Sequence, residues 1–266
     1  MINVCYCGND KIFIGAFLSA YSLAKSASEP VTVYLLTADI SYIKKEYVPL
    51  SEEHRLKIEE GIKRFNPENK VIMLDASSAF KEIFSKGRNM RTMYTPFAFL
   101  RLLMDMVEGL PDRVLYLDTD TVVLKDVAPL YHLDLKGTDL AMVHDSMRER
   151  SYCNSGVILF DMKAIKKDGS FQKCRDYLFT HKLMMPDQDT INHFYKRNRI
   201  IIPRIYNEQR GIKNETVIRH YCQSIRFLPY FHIIKAKPWE WKRFKKAYKK
   251  DSELPIFKEF REIEPF

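Results

Sequence analysis

The chain carries few of the marks that would place it in an exported, membrane-spanning or cofactor-loop class. No basic leader followed by an apolar stretch opens it at Met1-Ile-Asn-Val-Cys5, so no secretory signal is visible. The longest largely apolar run, Ile12 to Ala24, is too short to span a bilayer and is broken by Ser19 and Ser22. The expectation is a protein of the cytoplasm, soluble or peripheral at the inner face of the membrane. The five cysteines (Cys5, Cys7, Cys153, Cys174, Cys222) are odd in number and scattered. Without an export signal they read as reduced thiols. Cys5 and Cys7 lack a second pair at zinc-like spacing, so both read as small core residues. A Gly-x-Gly-x-x-Gly loop is missing, and with it support for a standard dinucleotide site. No internal repeat or low-complexity tract occurs, and no helix-turn-helix, zinc or RNP-type pattern, so nucleic acid is not expected as a partner.

What is present describes a folded protein. Hydrophobic residues make up 46% and aromatics 13% of 266 residues, enough for one large core. The net charge of +9 is concentrated. Lys235 to Lys250 holds eight Lys or Arg against one Glu, leaving the main body near neutral. Trp239, Trp241, Phe244 and Tyr248 interleave those cations. A solvated basic helix is the plain reading. The sharper one is an anionic membrane surface, where aromatic rings sit among headgroups and each basic residue contributes about 1 kcal/mol. Residues 1–239 are expected to form one α/β domain and 240–266 a basic, aromatic extension.

Residues 2–6 alternate into a strand, followed by the polar break Cys7-Gly-Asn-Asp-Lys11. Ile14, Phe17, Leu18 and Tyr21 recur at helical spacing to about Ser26. Val31 to Thr37 is a second strand, Ser51 opens a helix with Glu52 and Glu53 in its first turn, and Val71 to Leu74 is a third strand. This alternation predicts a mostly parallel sheet with helices on both faces, and ligands outside the carboxyl ends of its strands. Gly8, Asn9, Asp10, Asp75, Asp118 and Asp120 fall at such ends.

The central stretch is Arg113-Val-Leu-Tyr-Leu-Asp-Thr-Asp-Thr121. Val114 to Leu117 form a buried strand ending in two carboxylates. In an extended chain, residues i and i+2 share a side, so Asp118 and Asp120 converge. Unpaired, such a pair costs several kcal/mol, roughly, per buried ion; an oxygen-liganded divalent cation relieves it. An acidic turn capping a strand is the bland alternative. Other polar candidates follow in order. Arg101 sits among Phe97, Leu100, Leu102 and Leu103 in an expected helix from Pro96 to Val107. It is either a snorkelling side chain or a partner for phosphate or carboxylate. A strand over Asp139–Val143 ends in His144-Asp145. Asn154-Ser-Gly156 opens another, and Gly156 marks a close approach. Pro186-Asp-Gln-Asp189 starts a helix with Asp187 as N-cap.

The ordered set Cys7-Gly-Asn-Asp10, Arg101, Asp118-Thr-Asp120, Asp145, Asn154-Ser-Gly156, Asp187-Gln-Asp189 and Lys237-Pro-Trp239 resembles the retaining nucleotide-sugar glycosyltransferases of family 8. That group includes glycogenin and the bacterial lipooligosaccharide galactosyltransferases, and the resemblance spans about residues 2 to 240. It implies a single domain of the GT-A type. It implies that Asp118 and Asp120 hold manganese, or magnesium, against the diphosphate of a UDP-sugar. The third metal ligand would be a histidine ahead of a Lys-Pro-Trp. His232 is preferred because it lies five residues before the intact Lys237-Pro-Trp239, although the usual spacing is one longer. His220, which opens a His-Tyr-Cys, is the second candidate. Tyr6, Gly8, Asn9 and Asp10 match the uracil- and ribose-contacting loop, with Gly8 where an aspartate is usual. Arg101 and Lys237 match diphosphate contacts. Asp145, Asn154, Gln188, Asp187 and Asp189 match the donor-sugar and acceptor pocket.

Transfer from a UDP-sugar, UDP-glucose or UDP-galactose, to a glycan or glycolipid acceptor leaves a charged diphosphate. On that resemblance the carboxylates are metal ligands, not a glycosidase acid–base pair. Retention then goes either by front-face attack or by double displacement, with Gln188 or Asp189 as the nucleophile. The competing reading is a basic membrane- or nucleic-acid-binding module whose carboxylates are structural.

Overall fold

The computed structural model describes residues 1–85, 87, 89, 95–148, 151–226 and 232–263. Its strands are β1 (Ile2–Cys7), β2 (Val31–Thr37), β3 (Lys70–Asp75), β4 (Arg113–Leu117), β5 (Thr121–Val123), β6 (Leu140–His144), β7 (Cys153–Asp161), β8 (Ile200–Ile201), β9 (Ile218–His220), β10 (Ser224–Arg226) and β11 (His232–Ile234). Seven form the central sheet in the order β3-β2-β1-β4-β7-β6-β8. The β1–β2, β2–β3, β1–β4 and β6–β8 pairs are parallel, while β7 runs antiparallel to both neighbours. The expected mostly parallel α/β sheet is therefore present. The ribbons β5–β9 and β10–β11 lie outside it.

Strand alternation divides the core between the two faces of the sheet. On β4, Leu115 and Leu117 join one cluster with Val4, Phe17, Leu159 and helix Phe13–Ser26. Val114 and Tyr116 point the other way, into a cluster with Phe99, Leu102, Phe160, Phe171 and Ile191. Helix Glu52–Lys63 starts where its sequence signal placed it, with Ser51 Oγ accepting from His54 N–H. Pro96–Leu103 departs from expectation, forming a 3-10 helix and not an α-helix to Val107. All of it but Ala98 is buried, so packing of Phe97, Phe99 and Leu102 sets its course over local propensity.

The basic C-terminal segment is built into the same body. Along helix Trp241–Ala247 and the turn after it, Phe244 and Tyr248 are buried, while Lys242, Arg243, Lys245, Lys246, Lys249 and Lys250 are exposed. Phe244, Phe257 and Phe260 belong to the cluster that holds Phe17 and Tyr21. Full burial of each such ring is worth about 1.5–3 kcal/mol. The rings of Phe244 and Tyr248, expected at headgroup level, thus face the core and only the cations face out. The segment is also pinned by charge. Arg219, fully buried on β9, donates from Nε to Asp251 Oδ2 at 3.1 Å and lies over the rings of Tyr221 and Tyr248 at 4.5 and 5.3 Å. Asp251→Ala leaves that guanidinium buried without its anion, so urea denaturation is expected to show a loss of about 3–5 kcal/mol. A loss under 1 kcal/mol would mean that the segment is not anchored there.

Candidate metal and nucleotide-sugar site

Asp118 leaves the carboxyl end of β4 and its chain turns at once. Asp118 N–H donates to Gly156 O at 2.8 Å, and Thr121 returns to Asp118 O through N–H at 3.1 Å and its hydroxyl at 2.8 Å. The two carboxylates converge because of this turn, not because of the extended geometry expected for an i, i+2 pair. Thr121 then starts β5, whose partner across the ribbon is His220. Tyr221 N–H donates to Asp120 O at 2.8 Å, fixing the ribbon's end. The imidazole brought to the carboxylates is therefore that of His220. Its Nε2 lies 3.1 Å from Asp120 Oδ1 and 3.6 Å from Asp118 Oδ2. One ligand atom from each of Asp118, Asp120 and His220 lies within 4.8 Å of the others. The side chain of His232, the preferred histidine, and residues 229–231 of the aromatic stretch lie outside the described residues.

The protonation of His220 follows from a chain of hydrogen bonds. Gly156 N–H donates to Asn154 Oδ1 at 3.0 Å, which fixes that atom as an acceptor. Asn207 therefore presents its amide nitrogen to Asn154 Oδ1, also at 3.0 Å, and its oxygen to His220 Nδ1 at 3.0 Å. Nδ1 must then carry the proton. In the neutral ring the Nε2 lone pair faces two carboxylate oxygens, a repulsive arrangement that a divalent cation turns into a ligand set of two oxygens and one nitrogen. The residues present fit a metal ion.

Three glycine and hydroxyl details hold this geometry. A Cβ on Gly156 would lie 2.1 Å from His220 Cε1, so the ring rests on bare β7 backbone. A Cβ on Gly15 would lie 2.8 Å from both Thr119 O and the Trp239 ring, so this glycine lets the Asp-Thr-Asp turn and the Lys-Pro-Trp segment meet on one helix. Beneath the turn, Tyr6 OH donates to Ser19 Oγ at 2.9 Å, and Ser19 bonds Thr121 Oγ1 at 2.8 Å. The Tyr6 side chain is fully buried in this relay, so it supports the turn and does not reach the cleft.

Around the triad the charges are strongly coupled. Lys237 Nζ pairs with Asp120 Oδ2 and donates to Tyr221 O at 3.0 Å. Burial alone would raise the Asp120 carboxyl, but Lys237, joined by His220 whenever its ring is protonated, outweighs it and holds it well below the usual carboxylate range. Arg101 does not snorkel. It is buried, with Nη2 3.0 Å from Asp118 Oδ1, Nη1 2.8 Å from Ser155 O, Nε 3.3 Å from Asp187 Oδ2, and its guanidinium 4.2 Å over Tyr116. Tyr116 OH also donates to Asp118 Oδ1 at 2.7 Å. Arg101 thus braces two carboxylates from behind and offers little free charge to a phosphate. Asp187 is not the N-cap expected for it, because helix Pro186–Phe194 starts one residue earlier and Asp187 lies buried in its first turn.

The remaining candidates divide by position. Asp145 Oδ2 accepts from Asn154 Nδ2 at 3.4 Å and Oδ1 from Met147 N–H at 2.8 Å. Gln188 Oε1 accepts from Ser155 N–H at 2.9 Å and Ser155 Oγ at 3.1 Å, which turns its amide nitrogen toward Met185. Asp189 accepts from Tyr152 OH and, at 2.8 Å, from Met185 N–H. After β1, Gly8 N–H bonds Leu36 O, and a Cβ there would meet Ile12 at 2.5 Å. Asn9 is buried, and Asp10 Oδ1 bonds Ser51 N–H at 3.0 Å and His54 Nδ1 at 2.6 Å. Asn207 and Gly15 escaped the sequence reading, since their roles depend on partners far along the chain.

Two substitutions test the histidine geometry without touching a ligand. Asn207→Ala is expected to weaken manganese binding about 10–100-fold, as loss of an outer partner does elsewhere. Gly156→Ala is expected to displace the imidazole and weaken it at least as much. Calorimetric titration of the nucleotide-free protein with manganese, beside circular dichroism to confirm folding, reads both. Unchanged affinity in folded Asn207→Ala would sink the tautomer argument.

Comparisons with known proteins give the family and the fold. Residues 3–242 match the family model described as glycosyl transferase family 8. The chain is 26% identical over 272 residues to a lipopolysaccharide 1,2-glucosyltransferase of Escherichia coli, an alignment covering 92% of this chain and 75% of that one. A protein of the same name from strain K12 is 34% identical over 134 residues, 44% of this chain and 40% of its own length. Among solved structures, the galactosyltransferase LgtC in complex with donor and acceptor sugar analogues superposes with a TM-score of 0.66 at 17% identity, covering 98% of this chain and 95% of that one. At that identity the likeness speaks for the fold, which is the GT-A type. With its sheet, its Asp-Thr-Asp turn and nearly its whole length inside the family model, the chain belongs to glycosyl transferase family 8.

Proposed function

We propose that this glycosyltransferase moves a hexose, glucose or galactose, from a UDP-sugar to a glycan or glycolipid acceptor with retention at the anomeric carbon, in the assembly of bacterial envelope polysaccharide. The observation that carries this reading is the convergence of Asp118, Asp120 and His220, with Nε2 3.1 Å from Asp120 Oδ1 and 3.6 Å from Asp118 Oδ2 while Nδ1 is bonded to Asn207. Asp118, Asp120 and His220 would hold manganese, or magnesium, which supplies Lewis-acid stabilisation of the departing diphosphate. Lys237, tied to Asp120, adds a positive charge on the same side of the cleft. Asn154 and Asp145, bonded to each other, are the polar pair next to the triad that would orient sugar hydroxyls.

Support for front-face attack over double displacement comes from the state of the candidate nucleophiles. Gln188 Oε1 accepts two hydrogen bonds from Ser155, and both Asp189 oxygens are engaged. Neither presents a free oxygen, so on this reading Gln188 acts as an amide donor to the donor sugar. The two relatives named as lipopolysaccharide glucosyltransferases favour glucose and an envelope glycan. No helix among the described residues is long and apolar enough to cross a membrane. The exposed cations of residues 242–250 would attract an anionic leaflet in a peripheral, cytoplasmic enzyme. Truncation at residue 240 would open the core, so charge reversal on Lys245 and Lys246 is the cleaner probe of vesicle binding.

Release of UDP from a panel of UDP-sugars, with and without manganese, tests the whole reading. Asp120→Asn is expected to lower metal-dependent release by on the order of a hundredfold or more while the fold survives. Full activity of that variant, or of the wild type in excess chelator, would overturn the assignment of these carboxylates.

A further inference from the structure

A cavity of about 720 Å³ opens behind β9, lined by Arg204, Glu208, Arg210, Lys213, Lys250 and Asp251. Adjacent residues of β9 separate it from the metal site. His220 faces Asp118 and Asp120, whereas Arg219 turns to Asp251 in the cavity floor. Both anions of the lining are already neutralised. Glu208 Oε1 accepts from Arg204 Nη2 at 2.6 Å, Arg210 N–H at 2.7 Å and Gly211 N–H at 3.2 Å. Asp251 Oδ2 accepts from Arg219 Nε and Tyr221 OH, each at 3.1 Å. The Arg210 side chain bonds a neutral carbonyl, Ser146 O, at 2.6 Å, and Arg210, Lys213 and Lys250 make no ion pair among the described residues. The lining thus keeps three cations, Arg210, Lys213 and Lys250, without a paired carboxylate among the described residues, a balance that selects a multiply charged oxyanion. The volume suits a small ligand of this class.

We propose that this cavity is an anion subsite that takes a phosphate group, held by the charge of Arg210, Lys213 and Lys250. Its rim adjoins the acceptor side of the cleft. Arg210 holds Ser146 O, and Ser146 N–H donates to Gln209 Oε1 at 3.0 Å, immediately after Asp145. A phosphate carried by the acceptor glycan, held here, would bring the neighbouring sugar toward Asp145. This last step rests on the glycosyltransferase reading; the anion subsite itself does not.

The experiment titrates inorganic phosphate into wild-type protein saturated with UDP and magnesium, so that the diphosphate contacts are already filled. One phosphate is expected to bind, and the Lys213→Ala/Lys250→Ala double variant is expected to bind it at least tenfold more weakly. Lys245→Ala/Lys246→Ala removes the same charge from the exposed helix and is expected to leave phosphate binding unchanged. No binding by the wild type, or an equal loss in both double variants, overturns the subsite. Failure of UDP to bind would instead count against the donor assignment, and phosphate titration of the nucleotide-free protein still reads the cavity. In transfer assays, phosphate is expected to raise KM for a phosphorylated glycan acceptor and leave its dephosphorylated counterpart unaffected. Equal inhibition of both acceptors would overturn the acceptor role and leave free phosphate as the occupant.

Discussion

The site depends on one electrostatic conflict, a histidine lone pair held against two carboxylates. A backbone N–H, that of Gly156, starts the sequence of bonds through Asn154 and Asn207 that leaves Nδ1 of His220 protonated. Because the first donor is main chain and cannot rotate, changing the tautomer would cost the Gly156–Asn154 or the Asn154–Asn207 hydrogen bond. The conflict is then relieved only by protonating Nε2 or by a cation, and the nearby Lys237, already paired with Asp120, points to how strongly the cluster draws positive charge. Much of the surrounding fold keeps this arrangement in register. The β5–β9 ribbon sets His220 opposite Thr121, Gly156 yields the space for its ring, and Gly15 lets Trp239 close over the turn.

Much of the fold was legible because its signals are local. Strand and helix alternation over residues 2–75 follows from apolar periodicity and caps, and the parallel sheet follows from that alternation. The Asp-Thr-Asp turn was legible as chemistry, since two carboxylates after a buried strand demand compensation. The histidine that meets them was not, because it is brought there by a ribbon pairing about 100 residues apart and not by spacing to Lys-Pro-Trp. Tyr6 and Arg101 show the same limit from the other side. Each lies in the right segment, yet burial turns Tyr6 into a support for the turn and Arg101 into a brace between Asp118 and Asp187. Motif position identifies which residues surround a site; it does not say which way they face.

The C-terminal segment illustrates how composition misleads where periodicity informs. Aromatics among lysines suggest a membrane surface, but Trp241, Phe244 and Tyr248 recur at three and four residues, one stripe of a helix. A single apolar stripe needs one apolar partner, and here the partner is the face of the core lined by Phe17, Tyr21 and Tyr221. The cations are left on the outer surface, where any attraction to anionic lipid is purely electrostatic and screened by salt.

Charge around the triad also bears on the order of binding. Asp118, Asp120 and Asp187 carry three negative charges, and Arg101 and Lys237 two positive ones, all within one set of direct contacts. With neutral His220 the set is net negative and repels a diphosphate. A divalent ion reverses the sign, and in a site where these groups are buried or half-buried that reversal is weakly screened. On the proposed reading, nucleotide affinity is therefore conditional on the metal. Arg101 cannot substitute for it, because its donors are already committed to Asp118, Asp187 and Ser155. The contact that fixes Asp118 from behind is the same one that prevents the arginine from serving the phosphates alone.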